Sequence, residues 1–147
     1  MDRDKLGEPD IAIAGLQIWV HGRQFPDAED YWDGNWLNVT VHCGAKGASV
    51  WTSGNIIQLQ ELTHLSAGAK DLYNYLKGKA ELECIEPELF IELHADAMGH
   101  ILMTVKITPD HLSQSHKFTF DLDQSFLPKL ISACDTVLQK FPLKGKP

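Results

Sequence analysis

The residues best suited to chemistry lie in a single stretch, residues 24–36, where carboxylates stand among aromatic rings. Rigid aromatic side chains beside uncompensated negative charge are typical of a surface that binds a basic protein partner. We call this stretch the acidic–aromatic loop. The sequence predicts that six of its residues contact a partner: Asp27, Glu29, Asp30, Tyr31, Trp32 and Asp33.

Two other interpretations of the acidic–aromatic loop stay open at the level of sequence. Asp33-Gly34-Asn35 has the composition of a turn, so the stretch could simply join two strands while its aromatic rings pack on the core. Adjacent Glu29 and Asp30 could instead hold a cation loosely, although the spacing of the loop's carboxylates does not match an EF-hand.

A second acidic stretch begins at residue 81 and contains Glu81, Glu83, Glu86, Glu88 and Glu92. Alternation places Glu81 and Glu83 on one face of a strand, which is typical of a sheet face in water. The alternative, a pair of carboxylates for glycoside hydrolysis, requires two groups in unlike environments across a sugar-sized cleft.

The histidines and cysteines form no recognisable catalytic or metal-binding motif. The seven histidines lack the spacings that suit zinc, and His42 and Cys43, as neighbours on a strand, point to opposite faces. The sequence also lacks a GxSxG elbow, a P-loop and a GxGxxG turn. We therefore predict a protein that is not an enzyme and that has no cofactor and no metal.

Length, composition and charge limit the class of protein. The chain has 147 residues, 44% of them hydrophobic, which suits one domain over residues 1–147 with flexible ends at 1–9 and 143–147. Three cysteines, an odd number in apolar segments, indicate free thiols. Because no N-terminal signal segment is visible either, the expected location is cytoplasmic. The net charge of −7 argues against nucleic acid and anionic membrane as partners.

Hydrophobic periodicity predicts strands, a helix, more strands and a second helix. The expected strands span residues 11–20 with a bulge at Gly15, 36–43, 49–57, 80–85, 88–94, 100–108 and 117–122. A first helix is expected over 58–77, ended by Gly78, and a second carries an apolar stripe from Leu127 to Phe141, with Ser125 as its N-cap. The predicted fold class is α+β: an antiparallel sheet of six or seven strands with two amphipathic helices packed on one face.

Three blocks of this sequence resemble the bacterial WapI family of immunity proteins. They are residues 22–27 leading to 33–37 (GRQFPD to DGNWL), 85–89 (IEPEL) and 118–128 (FTFDLDQSFLP), in that order along the chain. The resemblance implies a cytoplasmic protein that neutralises a cognate toxin domain by binding it.

The leading functional hypothesis is therefore a non-catalytic protein-binding module, an immunity protein against a bacterial toxin. One alternative is a small ligand-binding or enzymatic domain with a pocket between sheet and helices. Another is an accessory subunit of a bacterial assembly. The sequence does not predict the oligomeric state.

Overall fold

The chain folds into two antiparallel four-stranded sheets and two helices, seen in a computed structural model that describes residues 3–147. Strands that are consecutive in sequence are neighbours in each sheet, so the orders are β1–β2–β3–β4 and β5–β6–β7–β8. The elements are β1 (Ile11–Ile13), β2 (Leu16–Arg23), β3 (Trp36–Ala45), β4 (Ala48–Gln58), α1 (Leu59–Tyr75), β5 (Lys79–Glu83), β6 (Leu89–Ala95), β7 (Ile101–Ile107), β8 (Lys117–Leu122) and α2 (Leu127–Lys140).

The two sheets confirm the α+β class with two helices but correct the predicted single sheet of six or seven strands. Alternation along a strand shows which side is buried, whereas it does not show which strands pair. Here β4 runs directly into α1, and the helix separates β4 from β5 along the chain. Helix α1 packs against β5 and α2, and α2 packs against β1, so the two helices contact strands of different sheets.

The β3–β4 hairpin is the part of the first sheet that the sequence predicted best. The inward side chains of β3 (Leu37, Val39, Val41 and Cys43) are apolar and fully buried, and the two strands pair out to Ala45 opposite Ala48. The predicted strand over residues 11–20 is instead two strands, with Ala14 and Gly15 in the turn between them. A Cβ atom at Gly15 would lie 2.0 Å from the carbonyl oxygen of Gly44, so this turn needs glycine. The bulge expected at Gly15 occurs further along, between Val20 and Gly22.

Helix α1 begins at Leu59 because Gln58 ends β4 and caps the helix at once. The Glu61 carboxylate accepts a hydrogen bond from the Gln58 backbone N–H at 2.7 Å, one half of a capping box. The helix stays continuous through Gly68. It ends at Tyr75, and Leu76 rather than Gly78 adopts the left-handed conformation at its C-cap, with φ of 54°.

Helix α2 begins at Leu127, and the predicted N-cap at Ser125 is wrong. Asp123 instead accepts a hydrogen bond from the Ser125 backbone N–H at 2.9 Å and caps a 3-10 turn (Gln124–Phe126) that precedes the helix. Pro128 still falls in the first turn, where its missing N–H costs nothing. The predicted stripe is confirmed at its centre, where Leu127, Leu130, Cys134 and Val137 are buried.

Both sheets and both helices contribute buried side chains to a hydrophobic cluster. A polar contact also joins the helices: the Ser66 hydroxyl donates to Asp135 at 2.7 Å, and the Lys70 ammonium lies 3.2 Å from the same carboxylate. Within residues 3–147, neither helix is long and apolar enough to cross a membrane.

Candidate functional site

The acidic–aromatic loop joins β2 to β3 and exposes most of the residues predicted to contact a partner. Of the six, five are exposed and Tyr31 is half-buried. Trp32 is 54% exposed, and its ring meets that of Tyr31 edge-on with centroids 4.9 Å apart. The loop therefore presents an indole and several carboxylates to solvent on one short segment.

Asn35 holds the backbone of the loop from inside the protein. Its side chain is completely buried and donates to the carbonyl oxygens of Tyr31 at 2.7 Å and Lys144 at 3.0 Å. Its side-chain oxygen accepts from the Lys144 backbone N–H at 2.9 Å. The Asn35 carbonyl accepts from Leu59 N–H at 3.0 Å, which connects the loop to the first residue of α1. The sequence indicated Asn35 only as a turn residue. Its buried side-chain amide in fact makes the hydrogen bonds that hold the loop backbone.

Arg23, the last residue of β2, provides a second inward attachment. Its guanidinium donates to the Gly34 carbonyl at 2.6 Å and to the Pro142 carbonyl. Burial lowers the pKa of Arg23, and the nearby Glu29 carboxylate opposes that shift. Gly34 is required in this packing, because a Cβ atom there would lie 2.5 Å from the Asp30 carbonyl oxygen.

Lys144, near the C-terminus, reaches the same loop through its side chain. Its ammonium donates to the carbonyl oxygens of Pro26 at 2.9 Å and Ala28 at 3.0 Å, and lies 3.4 Å from the Glu29 carboxylate. Residues 143–147 were expected from the sequence to be flexible, and no role was predicted for Lys144. The residues around Lys144 and around its partners form no sequence pattern that predicts this contact, because the partners are more than a hundred positions away along the chain.

The four carboxylates of the loop differ in their surroundings. Asp30 accepts a hydrogen bond from the Asp33 backbone N–H at 3.0 Å and so supports the turn, and Glu29 faces the Lys144 ammonium. The Asp27 and Asp33 side chains accept no hydrogen bond from any of residues 3–147. Uncompensated negative charge is therefore concentrated at Asp27 and Asp33.

The start of α1 adjoins the loop through Gln58. The buried Gln58 amide donates to the Trp32 carbonyl at 3.2 Å. Glu61, one turn further, also accepts from Ile85 N–H at 3.2 Å. Burial raises the pKa of Glu61, and the hydrogen bonds from Gln58 and Ile85 only partly offset that shift. A cavity of about 240 Å³ lies beside it, lined by Gln60, Glu61, His64, Glu81 and Glu83.

The second acidic stretch occupies the edge of the second sheet and the turn that follows. Glu81 lies directly opposite Glu92 in the β5–β6 register, and its carboxylate is 3.5 Å from the Lys79 ammonium. Glu81 and Glu83 alternate with buried Ala80 and Leu82, the pattern of a sheet face in water.

The three cysteine thiols are free, and the adjacent pair His42 and Cys43 does not form a reactive pair. Cys43 and Cys134 are buried and Cys84 is half-buried, and all three are free. Burial raises the pKa of Cys43 and of Cys134 to about 12. His42 points away from Cys43, with its ring nitrogens 2.9 Å from the Gln17 side chain and 2.7 Å from the Ser49 hydroxyl. Among residues 3–147, no group of three or more histidine, cysteine or carboxylate side chains is placed to hold a metal.

On the outer face of the first sheet, the N-terminal segment covers two stacked indoles. The rings of Trp19 and Trp51 stack with centroids 5.6 Å apart, and the Arg3 guanidinium lies 4.3 Å from the Trp51 ring centre. The Trp19 indole N–H donates to the Gly7 carbonyl at 3.0 Å. These contacts fasten the start of the chain to this face.

Comparison with known proteins connects this structure to a family. The model of the "Immunity protein WapI-like family" matches residues 9–142, nearly the whole chain. Neither the curated proteins nor the solved structures yielded a match. The matched region includes the acidic–aromatic loop and both helices, and it confirms the resemblance seen in the three sequence blocks. The chain therefore belongs to the WapI-like family of immunity proteins.

Proposed function

We propose that this protein is a non-catalytic immunity protein that binds a cognate bacterial toxin domain in the cytoplasm and neutralises it. Membership of the family supports the general role. The main support for the binding site is that the acidic–aromatic loop combines a fixed backbone with exposed side chains. Its backbone is held by the buried Asn35 amide and by Arg23, while Trp32, Asp27 and Asp33 stay in solvent.

A fixed loop favours binding because little conformational freedom is lost when a partner docks. Immobilising a flexible side chain or loop costs about 0.5–1.5 kcal/mol per group, and contacts made within the free protein avoid that cost in the complex. Exposed indole rings contribute disproportionately to interface energies. Trp32 is therefore the side chain that we expect to contribute most to binding.

Charge indicates which kind of toxin surface the loop fits. The chain carries a net charge of −7, which includes the loop carboxylates Asp27 and Asp33, and these two have no ion-pair partner among the described residues. A toxin that acts on nucleic acid must attract a polyanion, so its active surface is expected to be basic. An acidic inhibitor would be drawn to that same surface and could cover it.

The test requires the cognate toxin domain, which we expect a gene next to that of this protein to encode. We expect Trp32→Ala and Asp33→Lys each to weaken binding by about ten-fold or more in isothermal titration calorimetry, an effect typical of a hot-spot residue. Their melting temperatures should stay close to wild type, because the loop backbone is held by other groups. In co-expression, both variants should lose protection of the cell against the toxin.

Glu83→Lys is the matched control for Asp33→Lys. Glu83 is also an exposed carboxylate, but it lies on β5, outside the loop, so the change in net charge is identical. Equal losses of affinity in both variants would show that net charge alone matters and would refute the loop as the contact surface. Asp33 is a cleaner position for this test than Asp30, since a lysine at Asp30 would also remove the bond to the Asp33 backbone N–H.

A further inference from the structure

We infer that the C-terminal segment, residues 142–145, positions the acidic–aromatic loop for binding, with Lys144 and Gly145 as positioning residues. This inference rests on the proposed function in assigning the loop to a partner. The contact between the segment and the loop does not depend on the proposed function. The structure shows it in hydrogen bonds from both the backbone and the side chain of Lys144.

The Lys144 side chain bonds to three residues in the first half of the loop. Its three ammonium hydrogens have three acceptors: the carbonyl oxygens of Pro26 and Ala28, and the Glu29 carboxylate. The Lys144 side chain is only 19% exposed, so water competes weakly for these bonds. Without the ammonium, the two carbonyls lose this donor, and the first half of the loop keeps the bonds of Gln24 to Trp36 and Asn38 but loses its attachment to the C-terminal segment.

The backbone of the same residue pairs with Asn35. Lys144 N–H donates to the Asn35 side-chain oxygen, and Lys144 C=O accepts from the Asn35 amide nitrogen, at 2.9 and 3.0 Å. Asn35 in turn holds the Tyr31 carbonyl at 2.7 Å. The second half of the loop, where Trp32 lies, is thus attached to the C-terminal segment through one buried amide.

Gly145 allows the segment to lie against the loop. It has φ of +66°, and a Cβ atom there would lie 2.7 Å from the Tyr31 backbone nitrogen. Any other residue is disfavoured by both the backbone conformation and the contact. A side chain at this position would push the segment away from the residues that carry the indole.

The segment also determines which charges a partner meets. Glu29 faces the Lys144 ammonium, so part of its charge is compensated within the protein. Asp27 and Asp33 have no such cation among the described residues. Lys144 therefore shapes the loop and shifts its negative charge toward Asp27 and Asp33.

Amide hydrogen exchange measured by NMR tests the inference without any partner. In full-length Lys144→Met, we expect the N–H groups of Ala28, Asp33 and Gly34 to exchange about ten-fold faster or more, since local opening of the loop becomes easier. The N–H groups of β3 should exchange as in wild type. Lys146→Met is the control, because Lys146 is an exposed lysine directly after the segment and makes no hydrogen bond or ion pair within residues 3–147.

Gly145→Ala provides a second variant that keeps the Lys144 charge, and it should accelerate exchange at the same loop positions. Unchanged loop exchange in both variants overturns the inference. Equal acceleration in the loop and in β3 also overturns it, because the segment would then stabilise the whole fold rather than position the loop.

Titration with the toxin domain separates this inference from the proposed function. Faster loop exchange together with weaker toxin binding in Lys144→Met supports both. Faster loop exchange with unchanged toxin affinity leaves the positioning contact in place but refutes the loop as the toxin-binding surface. Weaker toxin binding with unchanged loop exchange refutes the positioning role alone.

Discussion

Glu61 combines two roles at the start of α1. Its carboxylate accepts backbone hydrogen bonds from Gln58 and Ile85, which joins the helix to the turn after β5. It is also buried enough that desolvation outweighs these bonds, so the pKa of Glu61 lies above its ordinary value of 4.5. The folded protein therefore keeps the Glu61 proton to a higher pH than the unfolded chain does.

This shift gives a prediction for stability against pH. A raised pKa in the folded state means that the contribution of Glu61 is fully present below its unfolded pKa and is lost as pH rises through the folded value. From about pH 4 to about pH 7, the free energy of unfolding of wild type should fall relative to that of Glu61→Gln. Urea denaturation at several pH values measures the difference. A parallel course for wild type and Glu61→Gln would contradict the shift.

Sequence reasoning identified the exposed residues of the site but not those that hold them. Carboxylates and indoles are visible in composition, and five of the six predicted contact residues are exposed. Asn35 appeared only as part of a turn, because its burial depends on Lys144, 109 positions away. Arg23 and Lys144 received no role from the sequence for the same reason. Whether the six residues touch a toxin stays a prediction.

At the scale of elements, α1 packs closely against β5 at Gly68. A Cβ atom at Gly68 would lie 2.9 Å from the Ala80 Cα atom and 3.0 Å from its Cβ atom. The glycine that weakens an isolated helix thus permits close packing of this helix on the edge of the second sheet. Periodicity predicted α1, but the reason for Gly68 lies in the strand that follows.

Gly68→Ala should therefore destabilise the protein, by about 1–3 kcal/mol in denaturant unfolding, because strain against β5 exceeds the gain in helix propensity of about 1 kcal/mol. Ala67→Gly, at the exposed neighbouring position, measures the propensity effect alone. A more stable Gly68→Ala would show that the helix and strand can separate at no cost.

The division into two sheets is also an element-scale result that periodicity could not supply. The inward faces of β3 and β7 were predicted correctly, since each has an apolar residue at every second position. Pairing depends on where the chain turns, and α1 follows β4 with no intervening loop. The Asp123 cap was missed because a 3-10 turn stands ahead of α2, and apolar periodicity does not detect such a turn.

For the molecule as a whole, the net charge of −7 bears on the kinetics of association. Attraction between an acidic inhibitor and a basic toxin acts before contact and is screened by salt, whereas the packing of Trp32 acts only after contact. Charge attraction therefore affects mainly the association rate constant, and the packing of Trp32 affects mainly the dissociation rate constant.

We expect the association rate constant with the toxin domain to fall by about ten-fold or more as salt rises from about 0.02 M to about 0.5 M, with a much smaller change in the dissociation rate constant. Trp32→Ala should do the reverse, raising mainly the dissociation rate constant. Surface plasmon resonance or stopped-flow fluorescence measures both. An association rate constant that does not depend on salt would refute electrostatic steering.

The contact between Gly145 and Tyr31 has a practical consequence for anyone who handles the protein. A segment fused after Pro147 starts three residues beyond Gly145, which lies against the loop backbone at Tyr31. A polyhistidine tag there becomes cationic in mildly acidic buffer and would compete with a basic toxin for the same surface. A tag ahead of Arg3 leaves from the outer face of the first sheet instead, where Arg3 lies over Trp51. Capture experiments that depend on a free loop should therefore use an N-terminal fusion.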